Sequence, residues 1–178
     1  MSKNKTSNRL AAFLSQITLI AAITLPVATA IIWLFWNELA AYAAGNLQHV
    51  YDVRELGAGA RFAGFALFLV GAAIQAYGLL GVRRTFLEAA AGRAYSARAI
   101  NGFRRFAWVS LIMVFMGIVQ RTGLIVILSI SDPSNQGALS VQFGSNELKA
   151  LFMGLLLVFV AHVFAEGKQA KDENETFL

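Results

Sequence analysis

The sequence contains no cysteine and only two histidines, His49 and His162. Without cysteine, a disulfide framework, a thiol nucleophile and a cysteine-ligated metal are all excluded. Two histidines are too few for a histidine-based metal cluster. We therefore expect no metal site in this chain.

Charge is also scarce. Charged residues make up 14% of the chain and hydrophobic residues 57%, whereas about a quarter of an ordinary soluble domain is charged. A helix that crosses a hydrocarbon core of about 30 Å needs about 20 apolar residues. Four stretches satisfy this length, at about residues 10–36, 61–82, 103–123 and 147–165. We therefore predict one domain, residues 1–178, that is an all-α bundle of four transmembrane helices.

The basic residues predict the orientation of these spans. Eleven of the fifteen lie in the N-terminal tail, between spans two and three, or after span four: Lys3, Lys5, Arg9, Arg83, Arg84, Arg93, Arg98, Arg104, Arg105, Lys168 and Lys171. Cytoplasmic loops of membrane proteins carry an excess of Lys and Arg. Both termini and the middle connection are therefore predicted to be cytoplasmic. Trp33 and Trp36 then mark the outer interface of span one, and Trp108 the inner interface of span three.

The connection after span three has two interpretations. Residues 124–128 are β-branched or leucine, residues 132–137 are typical of a turn, and residues 138–143 alternate apolar and polar side chains. This pattern favours a small extracytoplasmic β-hairpin. In the alternative, span three continues as a helix to Ile130. Ser145 is the expected N-cap of span four.

The predicted cytoplasmic connection, residues 83–106, is called the elbow below. Its sequence indicates that span two continues as a helix to Ala91 and stops at Gly92. Ser96 is a suitable N-cap for the helix that becomes span three. The elbow is therefore predicted to be two helix ends joined by a tight connection.

Polar side chains within the spans are candidate functional groups. They are Gln75, Gln120, Arg121 and His162. If span three ends near Thr122, Arg121 extends to water at the outer interface; if the helix reaches Ile130, Arg121 needs a carboxylate or carbonyl partner. Gln75 is expected to serve helix packing, and His162 to be an interfacial side chain, with pH sensing as the alternative.

Motifs of common enzymes are missing. The chain has no Walker loop, no dinucleotide-binding glycine fingerprint, no HExxH and no GxSxG. No Asp or Glu lies within the membrane core of any span, which disfavours proton-coupled transport. We therefore expect no enzymatic activity, no catalytic residue and no cofactor.

Opposite charges emerge on the predicted cytoplasmic side. The elbow carries six arginines against Glu88, and the tail, residues 166–178, carries Glu166, Asp172, Glu173 and Glu175. We predict that the tail docks under the elbow by ion pairing. Alternatively, the arginines set the topology and bind anionic lipid headgroups, each contributing about 1 kcal/mol. The two roles are compatible.

Two segments resemble a known family. Residues 162–175 read HVFAEGKQAKDENE, and residues 94–108 read AYSARAINGFRRFAW. Together with the span count, they are similar to the bacterial membrane-protein family called domain of unknown function 2975. The resemblance implies a four-helix protein of the bacterial inner membrane with no known activity. It also implies a pairing with small helix-turn-helix regulators, which are often encoded beside members of that family.

Three functions are compatible with these features. The first is a non-enzymatic membrane protein that binds or sequesters a cytoplasmic partner, such as a small transcriptional regulator, through its elbow and acidic tail. The second is a small channel or transporter component, as a monomer or a homo-oligomer, with Gln75, Gln120 and Arg121 facing one lumen. The third is a structural or lipid-organising protein. None of them requires direct contact with nucleic acid.

Overall fold

The computed structural model describes residues 2–43, 56–131 and 145–176, with side chains for residues 6–40, 56–131, 145–169 and Glu173. This part of the chain forms five helices and contains no strand. They are α1 (Ser2–Leu34), α2 (Trp36–Ala43), α3 (Ala58–Ala90), α4 (Ala97–Ser131) and α5 (Ser145–Thr176).

Four of these helices are long and apolar enough to cross a membrane: α1, α3, α4 and α5. The 33 residues of α3 extend roughly 50 Å at about 1.5 Å per residue, whereas a hydrocarbon core is about 30 Å thick. The expectation of an all-α fold with four candidate spans is confirmed. The helices are longer than the spans expected from hydropathy, because their polar ends also remain helical.

The expected hairpin is wrong in its first half. Residues 124–128 belong to α4, which continues as a helix to Ser131. Leu124, Ile125 and Leu128 share one helical face and are buried in a cluster that includes Trp33 and Trp36. This packing outweighs the weak strand preference of β-branched side chains, which depends on context. Residues 132–144, which would form the turn and the second strand, lie outside the described residues.

The starts of α2, α3 and α5 follow in the structure, and the expected N-cap role of Ser145 remains a prediction. After Phe35 the chain resumes as α2, which extends the first span. Gly57 directly precedes α3, and α5 begins at Ser145 with Glu147 in its first turn. A carboxylate there interacts favourably with the positive end of the helix dipole.

The chain divides into two compact units. The first contains Met1–Ile23, Ile74–Val114 and Ser145–Leu178, and the second contains Thr24–Ala73 and Phe115–Gly144. The elbow therefore belongs to the first unit.

Stacked indole rings form the core of the second unit. The ring centroids of Trp33 and Trp36 are 4.5 Å apart with 18° between the planes, and their exposed fractions are 5% and 1%. Gly64 of α3 lies against Trp33 so closely that a Cβ atom there would overlap the indole. These tryptophans therefore pack between helices, whereas side chains of an interfacial aromatic belt face the lipid.

In the first unit, α3 and α4 touch through their backbones. A Cβ atom on Gly81 would lie 2.9 Å from the carbonyl oxygen of Gly102, and one on Gly102 would lie 2.5 Å from that of Gly81. One turn further, the Thr85 hydroxyl donates a 2.8 Å hydrogen bond to the Ala99 carbonyl. Small residues permit such close approach between membrane helices.

This contact predicts that Gly102→Ala destabilises the protein. The new methyl group would meet the α3 backbone, and overpacking of this kind costs about 1–3 kcal/mol. Thermal unfolding in mild detergent should show a lower Tm. Gly117→Ala is the matched control on the same helix, because nothing lies within 4 Å of its Cβ position. Equal Tm values for the two variants would contradict the assigned contact.

Candidate functional site at the elbow

Local backbone chemistry shapes the elbow. Helix α3 ends at Ala90, and Gly92 adopts a φ of 76°, a left-handed conformation that is costly for residues with a Cβ atom. Ser96 precedes α4, and its Oγ accepts a 3.1 Å hydrogen bond from the Ala99 amide. The predicted glycine stop and serine N-cap are both confirmed, although the helix ends one residue before Ala91.

Glu88 connects both sides of the elbow. Its Oε2 accepts a 2.9 Å hydrogen bond from Arg93 Nε and a 3.1 Å bond from the Ser96 hydroxyl. The hydrogen bond and the charge of Glu88 raise the pKa of Arg93 above its ordinary value. The one carboxylate of residues 83–106 is therefore engaged within the elbow itself.

Three arginines surround one cavity beside this carboxylate. The cavity has a volume of about 490 Å³ and is lined by Arg84, Leu87, Glu88, Arg98, Asn101, Gly102 and Arg105. In the described ranges, Arg84, Arg98 and Arg105 make no ion pair. The Arg105 guanidinium lies 4.4 Å from the centroid of the Tyr77 ring, a cation–π contact that orients it. The cavity wall is consequently electropositive.

Helical phase explains this grouping. Arg98 and Arg105 are seven residues apart, which is about two turns, so they share a face of α4. Asn101 lies between them on the same face. Its side-chain amide can form hydrogen bonds, but it was not among the predicted site residues because it carries no charge. Tyr77, which supports Arg105, belongs to α3, and no feature of the sequence indicated this pairing.

The other three elbow arginines have different environments. Arg93 pairs with Glu88, as described above. Arg83 is half-buried, and its Nε is enclosed without a hydrogen-bond partner among the described residues. Arg104 is exposed and lines a separate groove against α5. The six arginines therefore do not form one uniform surface.

The predicted ion pairing between tail and elbow is not tested by the described side chains. Glu166 lies 3.2 Å from His162 Nε2, and Glu173 accepts a 3.0 Å hydrogen bond from Gln169. The side chains of Asp172 and Glu175 lie outside the described part, so the pairing remains a prediction. Helix α5 does meet the elbow through aromatic rings, since the centroids of Phe103 and Phe164 are 5.8 Å apart.

The intramembrane polar candidates separate into the two units. Gln120 is half-buried, and its Nε2 donates a 3.5 Å hydrogen bond to the Phe68 carbonyl. Arg121 is exposed, and α4 continues past it to Ser131, so the interpretation in which the helix ends near Thr122 is wrong. Gln75 is exposed and belongs to the first unit. A shared lumen therefore stays a prediction.

Comparison with known proteins finds no match among family models, curated proteins or solved structures. The resemblance to domain of unknown function 2975 therefore remains a prediction. In the described ranges no cluster of three or more His, Asp or Glu residues could hold a metal ion. The chemistry that the elbow cavity offers is recognition of an anion by arginine, which is suited to planar, bidentate binding of carboxylate or phosphate.

The Ser96 cap gives a local prediction. Ser96→Ala should raise the hydrogen-exchange rate of the Ala99 amide about fivefold, because loss of an N-cap costs about 1 kcal/mol. Ser110→Ala is the control, since that hydroxyl bonds the Phe106 carbonyl of its own helix. An unchanged Ala99 rate in the Ser96 variant would contradict the capping role.

The aromatic contact predicts how α5 stabilises the elbow. Phe164→Ala should accelerate trypsin cleavage after Arg93 in inside-out vesicles, because an aromatic pair contributes about 0.5–1.5 kcal/mol. Phe152→Ala on the same helix is the control; this side chain is 67% exposed. If both variants are cleaved at the wild-type rate, the ring contact does not hold the elbow.

Deleting residues 168–178 tests the charge pairing in the same assay. Faster cleavage with Phe164 intact is expected if tail carboxylates bind the elbow. A wild-type rate after this deletion would contradict the pairing.

Proposed function

We propose that this chain is a non-enzymatic, multi-pass protein of the bacterial cytoplasmic membrane that binds an acidic soluble partner at its elbow. The observation that carries the proposal is the cavity in which Arg84, Arg98 and Arg105 stand beside a carboxylate already bound by Arg93 and Ser96. Three arginines with one carboxylate among them leave an excess of positive charge, which is suited to bind an external anion.

Membrane placement supports a cytoplasmic partner. The four candidate spans and the distribution of basic residues support a cytoplasmic position for the elbow and both termini. The last two turns of α3, which include Arg84 and Glu88, extend beyond the apolar stretch of residues 61–82. The cavity is then accessible from the cytoplasm.

The chemistry of the cavity favours a protein carboxylate cluster as the occupant. Leu87 and Asn101 add an apolar contact and an amide to the arginines, and interfaces combine charged, apolar and hydrogen-bonding groups in this way. A small transcriptional regulator held at the membrane is one such partner. The acidic tail would contact basic residues of the same partner, as electrostatic complementarity requires.

Photo-crosslinking from the cavity tests this proposal. A photoreactive amino acid at Asn101 in the full chain should give, in whole cells, a crosslinked product containing a soluble acidic protein. The triple variant R84Q/R98Q/R105Q should abolish that product, because each charge-assisted hydrogen bond contributes about 1.5–3 kcal/mol.

The matched control is K3Q/K5Q/R9Q, which removes the same charge on the same predicted side of the membrane. Its crosslinked product should be unchanged. If the product survives the elbow triple variant, or if Asn101 crosslinks only to lipid, the partner-binding proposal fails. The second outcome would favour the lipid-organising function.

A further inference from the structure

A second cavity in the first unit has a different character. It is a groove of about 500 Å³ between α4 and α5, separate from the arginine cavity of the elbow. Helix α4 contributes Arg104 and Trp108, and α5 contributes Leu155, Phe159 and His162, among others. Nothing in the proposed function uses this groove.

The two helices are antiparallel along the groove. Phe103 of α4 contacts Phe164 of α5. Further along, a Cβ atom on Gly154 would lie 3.2 Å from the Leu111 Cα atom. As the residue numbers rise in α4, they therefore fall in α5.

The groove is consequently graded from polar to apolar. Arg104 and His162 lie near the Phe103–Phe164 contact, whereas Leu155 lies near the Gly154–Leu111 contact. Trp108 is one turn further along α4 than Arg104, and Phe159 lies between His162 and Leu155 on α5. The Arg104 guanidinium therefore stands at one end of the groove and aliphatic carbon at the other, with aromatic rings between them.

The apolar part of the groove is open. Trp108, Leu155 and Phe159 are 51%, 53% and 63% exposed, and both helices are candidate membrane spans. Exposed apolar surface on such helices faces acyl chains rather than water. A tryptophan beside a basic residue is the usual arrangement at the level of lipid headgroups.

The charge at the polar end comes from Arg104. His162 Nε2 is 3.2 Å from the Glu166 carboxylate, so this histidine already has an anionic neighbour. In the part of the chain that the structure describes, Arg104 makes no ion pair. Its guanidinium is therefore the group at this end that is suited to a phosphate.

We infer that this groove binds one phospholipid, with its phosphate at Arg104 and an acyl chain along Phe159 and Leu155. The order of cation, aromatic ring and aliphatic side chain matches the order of phosphate, glycerol and hydrocarbon in the lipid. The inference rests on the membrane placement of α4 and α5 in the proposed function. It does not depend on the binding of a partner at the elbow.

Native mass spectrometry of the full-length protein in mild detergent tests the inference. Titration with palmitoyl-oleoyl phosphatidylglycerol should reveal one tightly retained lipid per chain. Arg104→Gln should weaken its binding roughly tenfold, as expected for loss of one charge-assisted hydrogen bond. Arg104→Lys, which keeps the charge, should restore part of that affinity.

Two further arms distinguish the lipid from a free anion. Dihexanoyl phosphatidylglycerol, which has the same headgroup and short chains, should bind more weakly to the wild-type protein. Phe159→Ala should reduce this preference for long chains. Inorganic phosphate at millimolar concentration should not displace the long-chain lipid; displacement would overturn the inference.

Arg9→Gln is the matched charge control, because Arg9 is also exposed in the first unit but lies outside the groove. It should retain wild-type lipid affinity. Equal weakening by Arg9→Gln and Arg104→Gln would show that binding follows net charge, which would overturn the groove assignment. The variant R84Q/R98Q/R105Q should keep the lipid. Lipid binding in the groove and partner binding at the elbow are therefore tested independently.

Discussion

The backbone contact between α3 and α4 is the constraint on which the elbow depends. Gly81 and Gly102 bring the two helices so close that neither position has room for a Cβ atom. The Thr85 to Ala99 hydrogen bond continues this approach one turn further. Because the helices are held together here, the short connection around Gly92 must turn sharply. Residues that face one another across this contact are then fixed relative to each other.

The charge arrangement follows from that close approach. Arg84 and Glu88 are one turn apart on α3, and Arg98 and Arg105 share a face of α4. With the two backbones in contact, these faces open onto one cavity. Glu88 is held by Arg93 and Ser96, so it fixes the connection while it lines the same cavity as the arginines. The same carboxylate therefore orders the elbow and reduces the positive charge of its cavity without cancelling it, because three arginines line the cavity.

Sequence rules correctly predicted the features that depend on local chemistry, namely the spans and the helix ends at the elbow. Hydropathy located the four spans, and the roles of Gly92 and Ser96 followed from the stereochemistry of helix ends. The residues after Leu124 were misassigned because their conformation depends on packing against Trp33 and Trp36, which are distant in the sequence. The candidate site was predicted as a set of charges, but its grouping was not. That grouping depends on which face of α4 packs against α3, and the sequence does not specify this.

The adjacent pair Arg104–Arg105 shows why a count of basic residues is insufficient. Consecutive residues of a helix differ in direction by about 100°. Arg105 therefore joins Arg84 and Arg98 around the elbow cavity, whereas Arg104 faces the groove against α5. Both residues contribute equally to the positive-inside signal that orients the chain. The two arginines thus contribute to the same topology signal but line two separate cavities, so the effects of substituting them should be independent.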